Sequence, residues 1–258
     1  MARSPSVVSL LLIVAFSCAT AQNPPKDPQA LSVLTACVNA AGGIPVVSTV
    51  QDFSASGNIT YFWAGQNVQG AVTLLARGTA QFRLDAAIPT GKRSWAISNG
   101  AGTLLDTDGG RTAIPWHNVV NVGIPSWRLP NILAALSDST VTVSYVGLVQ
   151  SDQGQAHQIR VEQTDSANPD AKLAAIKAVD YFVDAKTYLL LQTVDSTYST
   201  TDLTQAYEHA VAFADYKNVS GVMVPFSITE KISGQNTWSI QLSSITFNTG
   251  LTDADFTL

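Results

Sequence analysis

From about residue 50 onward the chain repeats one grammar: a short run rich in apolar and β-branched residues, then a tight turn. A lone strand is unstable, because it leaves a row of backbone amides and carbonyls unpaired. Two-residue turns allow only antiparallel neighbours, since a parallel return needs a long crossover. The runs fall at residues 53–63, 68–76, 80–86, 94–98, 141–149, 156–163, 178–183, 188–197, 208–216, 222–233 and 238–247. Pro89-Thr90-Gly91, Asn99-Gly100 and Asp108-Gly109 supply turn chemistry between them. The expected class is α+β, mostly β, built as an antiparallel meander. Side chains alternate across a strand, so Phe82 and Leu84 share one face and Arg83 and Asp85 the other. Trp95 and Ile97 likewise share a face.

Three segments follow helical rather than strand periodicity. Asp27-Pro28 starts the first, with Asp27 as cap and Pro28 at the first helical position. Ala30, Leu31, Leu34, Val38 and Ala41 recur at helical spacing, and Gly42-Gly43 ends it. The second follows Pro130, with Leu129, Ile132, Leu133 and Leu136 as one apolar stripe and Ser137-Asp138 as its stop. The third opens at Asn168-Pro169-Asp170 and runs to Lys177. No linker, repeat or low-complexity tract divides the chain, so one domain is expected over residues 22–258.

Residues 1–21 read as a secretory signal peptide. Arg3 gives a positive start, residues 7–16 are apolar apart from Ser9, and Ala19-Thr20-Ala21 is a cleavage pattern. The apolar run is about half of the roughly 20 residues that span a bilayer, and no later stretch is long enough, so the mature chain is expected to have no transmembrane segment. A rival reading makes Ala15-Phe16-Ser17-Cys18 a lipidation signal, anchoring the chain through Cys18. Either way the protein is exported, to the periplasm or beyond. Cleavage leaves Cys37 as the one cysteine, which excludes an internal disulfide and a cysteine-based metal site. The net charge of -5 at pH 7, without a basic cluster, speaks against nucleic acid.

Searches for chemistry fail one after another. The chain has no G-x-S-x-G elbow, P-loop, H-E-x-x-H or C-x-x-C. His117, His157 and His209 lie far apart in sequence, and His117 sits in a proline-flanked loop. Asp106-Thr107-Asp108-Gly109-Gly110 starts like a calcium loop but lacks the closing glutamate, so it reads as a hairpin turn. Asn58-Ile59-Thr60 and Asn218-Val219-Ser220 are glycosylation sequons that matter only in a eukaryotic secretory route. An enzyme would have to assemble a site from scattered groups such as His117, Asp195 and Asp215. No catalytic residue, metal or cofactor is expected.

Apolar surface is what remains. Tyr61, Phe62, Trp63, Phe82, Trp95, Trp116 and Trp127 crowd the first half. Most fit an ordinary core, but an apolar cavity between a curved sheet and its helices would suit a lipid or acyl chain.

Several segments in order resemble the periplasmic lipoprotein carrier family, LolA and its relatives. Leu75-Ala-Arg77-Gly-Thr-Ala-Gln-Phe82-Arg-Leu is similar to the family's K-R-P-x-x-F-x-W strand, and Ser98-Asn-Gly-Ala-Gly-Thr-Leu-Leu to its S-D-G-K-T-L-W hairpin. Tyr181-Phe-Val-Asp184-Ala-Lys-Thr187-Tyr-Leu resembles I-D-x-x-T-G-L. The segment from Phe213 through Tyr216, Gly221 and Pro225 resembles Y-x-x-V-D-G-V-x-V-P, and Asn248 to Phe256 the closing N-x-x-L-x-D-x-x-F. Gly78 replaces the family's proline, Leu105 stands where an aromatic is usual, and residues 168–177 read as an insertion. The resemblance implies an incomplete antiparallel β-barrel, a curved sheet covered on its concave side by a few helices. It also implies carriage of acyl chains without a cofactor, and Arg77 as the residue that holds a lid shut.

On this basis the chain is read as a non-catalytic, exported binder or carrier of a lipid or acylated ligand. The ligand-binding candidates are Phe62, Phe82, Leu84, Trp95 and Ile97 on the sheet, with Leu129, Ile132, Leu133 and Leu136 as a helical lid. The alternative is an envelope surface, assembly or sensor protein that uses the sheet to dock envelope proteins.

Overall fold

The turn-punctuated runs become strands of one continuous sheet. The structure, a computed structural model, describes residues 25–63, 65–122, 128–163 and 175–258. The strands are β1 (Asp52–Trp63), β2 (Gln66–Arg77), β3 (Gln81–Ile88), β4 (Gly91–Ser98), β5 (Ala101–Leu105), β6 (Arg111–Ile114), β7 (Val141–Ser151), β8 (Gly154–Gln163), β9 (Val179–Asp184), β10 (Leu190–Tyr198), β11 (Ala206–Val219), β12 (Val222–Ile232) and β13 (Gln235–Phe247). Their spatial order is β6-β5-β4-β3-β2-β1-β13-β12-β11-β10-β9-β8-β7. Sequence neighbours pair antiparallel on both sides of a single long-range seam, β1 with β13. That seam joins two meanders into one curved, unclosed sheet whose edges are β6 and β7.

Turn residues account for the connections. Asn99-Gly100, Ser220-Gly221 and Ser233-Gly234 all adopt positive φ at both positions, as two-residue hairpins require. After β9, Asp184 Oδ1 accepts from the amides of Lys186 and Thr187, which turns the chain locally. Edge β7 is partly covered, because Asp27 N donates to Val143 O at 2.8 Å and Val143 N donates to Pro25 O at 3.2 Å.

Helices cover one face. In α1 (Pro28–Ala40) Asp27 Oδ1 accepts from the Gln29 and Ala30 amides, as its position before Pro28 suggests. The buried stripe is Ala30, Val33, Leu34, Cys37 and Val38, so Leu31 turns partly outward and Val33 and Cys37 turn in. Gly42 is required where α1 ends: its φ is 129°, and a Cβ there would stand 2.4 Å from Gly221 O. The Ala41 carbonyl accepts from Met223 N at 2.9 Å, tying the helix end to β12. A short α2 (Ile44–Val47) follows, then α3 (Trp116–Val122) and α4 (Leu129–Ser137) between the two meanders. His117 therefore belongs to α3 rather than to a loop. A 3-10 turn, Asp253–Phe256, closes the chain.

The signal peptide expected over residues 1–21 with Cys18, Trp127, and all but residues 175–177 of the helix expected from Asn168 lie outside the described residues. Residues 175–177 are helical. No helix among the described residues is long and apolar enough to cross a membrane.

Strand alternation places a core on the helical face. Paired residues point to the same side, so Leu74 with Leu84, Ala76 with Phe82, Leu84 with Trp95, and Phe82 with Ile97 form one continuous apolar surface. On the other flank Val143, Ile159, Val161, Val179 and Tyr181 continue it. All join the same cluster as Leu34, Val38, Leu129 and Ile132. Each fully buried side chain of this size contributes about 1.5–3 kcal/mol.

Candidate functional site

The sheet curls far enough for its two flanks to face each other, and α4 lies between them. They leave a cavity of about 360 Å³. Phe82 and Ile97 form one wall, Val141, Val161, Val179 and Tyr181 the other, and Asn131, Ala134 and Ala135 of α4 the roof. The walls are apolar because β3, β4, β8 and β9 each send alternate residues inward.

The sequence-derived candidates divide by position. Phe82 and Ile97 border the cavity. Leu84 and Ile132 are wholly buried in the core and do not border the cavity. Leu133 and Leu136 are half-buried and pack against that core, whereas Leu129 borders a small gap shared with Cys37, Leu190 and Phe213. Burial pushes the Cys37 thiol up to about 12, which keeps it protonated and unreactive.

Trp95 lines a second, more open cleft of about 350 Å³ with Tyr61, Trp63, Leu104, Ile114 and Trp238. Phe62 also borders that cleft, but strand alternation turns its side chain to the face opposite Tyr61 and Trp63. The concave aromatics are therefore Tyr61 and Trp63, whose rings stack with centroids 5.0 Å apart. Arg93 lies over both rings, 5.7 and 5.5 Å from their centroids, and pairs with Asp106 at 3.0 Å. This cation–π arrangement fills part of the cleft.

Polar groups that the sequence did not bring together meet beside this cleft, which Glu230 also lines. His209 of β11 is buried and donates from Nδ1 to Asp195 Oδ1 at 2.7 Å and from Nε2 to Glu230 Oε1 at 3.1 Å. Thr237 Oγ1 donates to Glu230 Oε2. Burial alone would lower the imidazolium, but the two carboxylates hold it up at about 9. Cross-strand register makes this cluster: Asp195 lies opposite His209, and Val211 lies opposite Glu230. Only the pairing of β10, β11 and β12 brings it together.

The scattered catalytic set does not assemble. His117 Nε2 bonds the Ser199 carbonyl at 3.1 Å, Asp195 is taken by His209, and Asp215 accepts from Gln241 and Lys217. His157 meets the Tyr145 hydroxyl at 3.0 Å.

Comparison with solved structures gives extended matches. A putative outer membrane lipoprotein-sorting protein domain from Vibrio parahaemolyticus aligns with TM-score 0.55 at 11% identity, over 88% of this chain and 96% of its own. A LolA superfamily protein from Nitrosomonas europaea aligns with TM-score 0.52 at 12% identity, over 89% of this chain and 97% of its own. The fold is LolA-like. A DUF1329 family protein from Desulfovibrio piger aligns with TM-score 0.53 at 12% identity, over 88% of this chain and 96% of its own. Comparison with protein-family profiles and with curated proteins finds no match.

Within the LolA-like sheet, Arg77 takes a place different from the lid-locking one that the resemblance implied. It lies opposite Gln81, one residue out of phase with Ala76 and Phe82, so it points to the face away from the cavity. Its Nε donates to Gln81 Oε1 at 2.6 Å, its Nη1 to Leu251 O at 3.0 Å, and its Nη2 pairs with Asp253. Arg77 thus clamps the C-terminal 3-10 turn against the outer face rather than holding α4. Arg83 adds to the clamp by donating to the carbonyls of Asp255 and Thr257. The face that Arg77 takes was not recoverable from sequence order, because a one-residue change of phase exchanges the two faces.

Proposed function

We propose that the chain is an exported, non-catalytic carrier of a lipid or acylated ligand, held beneath α4. One observation carries this reading: the cavity of about 360 Å³ between Phe82 and Ile97 on one flank and Val161 and Val179 on the other. The volume falls within the roughly 300–1,000 Å³ range of small-molecule sites. An acyl chain gains about 0.8 kcal/mol per methylene on leaving water, so eight methylenes supply about 6 kcal/mol without any polar contact. The shared fold of a lipoprotein-sorting domain supports the same class of cargo. Binding is favoured over catalysis because the most buried histidine, His209, has both ring nitrogens occupied by carboxylates and no free lone pair to act as a base.

Solvent extraction of the purified protein followed by mass spectrometry tests this. A stoichiometric lipid or fatty acid is expected. A protein that neither carries nor takes up any acyl compound would refute the carrier reading and return attention to the sheet as a docking face for envelope proteins.

A further inference from the structure

The cavity under α4 is not uniformly apolar. Arg128, the residue immediately before α4, borders it and is only 4% exposed. Its Nε and Nη2 are buried with no hydrogen-bond partner, and no carboxylate among the described residues forms an ion pair with it. A guanidinium is a cation with five N–H donors, so this is a buried charge whose Nε–Nη2 edge has no acceptor. Such a group is costly unless something pairs with it. Nε and Nη2 form one edge of the guanidinium, with two parallel N–H bonds suited to a two-oxygen acceptor.

The surroundings agree in sign. Lys177 adds a second cation to the cavity wall. Asp138, the one acid among the lining residues, already accepts from the amide and hydroxyl of Thr140. Asp195, a buried carboxylate of β10, gives its Oδ1 to His209 and forms no ion pair with Arg128. Asn131 Oδ1, one turn into α4, is also buried without a donor. Arg128 caps α4 without any side-chain hydrogen bond to the helix, so the positive end of the helix lies beside the same charge.

From this we infer that the cavity takes an anionic amphiphile, whose carboxylate or phosphate head receives the Nε–Nη2 edge of Arg128 while its chain lies along Phe82, Ile97, Val161 and Val179. A hydroxyl on the head would meet Asn131 Oδ1. This inference rests on the carrier reading and narrows it from any acyl compound to one with an oxyanion.

Titration of delipidated protein with dodecanoate, dodecyl phosphate and dodecanol, followed by calorimetry, separates the possibilities. The three share a chain and differ in the head. A charge-assisted pair of hydrogen bonds makes the anions bind about 10- to 100-fold tighter than the alcohol. Arg128→Leu abolishes the preference of the cavity for both anions over the alcohol, while Arg128→Lys keeps part of it. The tighter of the two anions identifies the head as carboxylate or phosphate. Equal affinity of wild-type protein for all three overturns the inference while leaving the carrier reading intact, and this comparison needs no variant to fold. Failure to bind any of them overturns both.

Discussion

Raising the pH should loosen this fold through one residue. His209 is protonated in the folded protein up to about 9, against an ordinary value of 6.5. Its folded value is the higher one, so the stabilisation is fully present below pH 6.5 and disappears as pH rises through 9. The difference between the two values corresponds to about 3 kcal/mol at full strength. Between pH 6.5 and 8.5 the loss is about 2 kcal/mol from linkage. The thiol of Cys37 begins to contribute only above that window, since its unfolded form ionises near 9 and its folded form near 12. Urea unfolding at intervals across pH 6.5–8.5 reads the effect as a midpoint falling by roughly 0.5–1 M. In His209→Gln the slope over this window should vanish, because no proton is then held between Asp195 and Glu230. A wild-type midpoint that stays level across the window, or a variant that keeps the wild-type slope, would refute the assignment of a charged imidazole at this position.

Two further outcomes test the cavity and the clamp. Val179 lies on the inner face of β9 and borders the cavity, so Val179→Phe should fill part of the space and lower bound acyl compound several-fold. The far-UV circular dichroism should stay that of the wild type, which separates occlusion from unfolding. Arg77→Ala should release the C-terminal turn, costing about 1–3 kcal/mol and speeding proteolysis after Asn248, while leaving ligand affinity unchanged. A large change in affinity would restore Arg77 to a role in closing the cavity.

Much of the sheet was legible because its signals are local. Asn99-Gly100 and the alternation around Phe82 need only neighbouring residues to act, and they placed Phe82, Leu84, Trp95 and Ile97 on one face correctly. The helix stripe of α4 was visible for the same reason. The face of an isolated strand was less secure. Phe62 is as apolar as Tyr61 and Trp63, and only the pairing of Tyr61 with Val68 and Trp238 decides which of them points inward. Short β5 and β6 showed mainly through their turns, and α3 was hidden by the proline that precedes it.

What the chain order alone settled was the antiparallel meander, since turn chemistry and period-two burial act within a few residues. The seam between β1 and β13, the cluster of His209 with Asp195 and Glu230, and the unpaired edge of Arg128 inside a cavity came only with the folded molecule. The first two depend on groups from 14 to nearly two hundred residues apart. Their meeting is governed by sheet curvature and cross-strand register, and a shift of one residue would have sent the strand side chains among them to the opposite face.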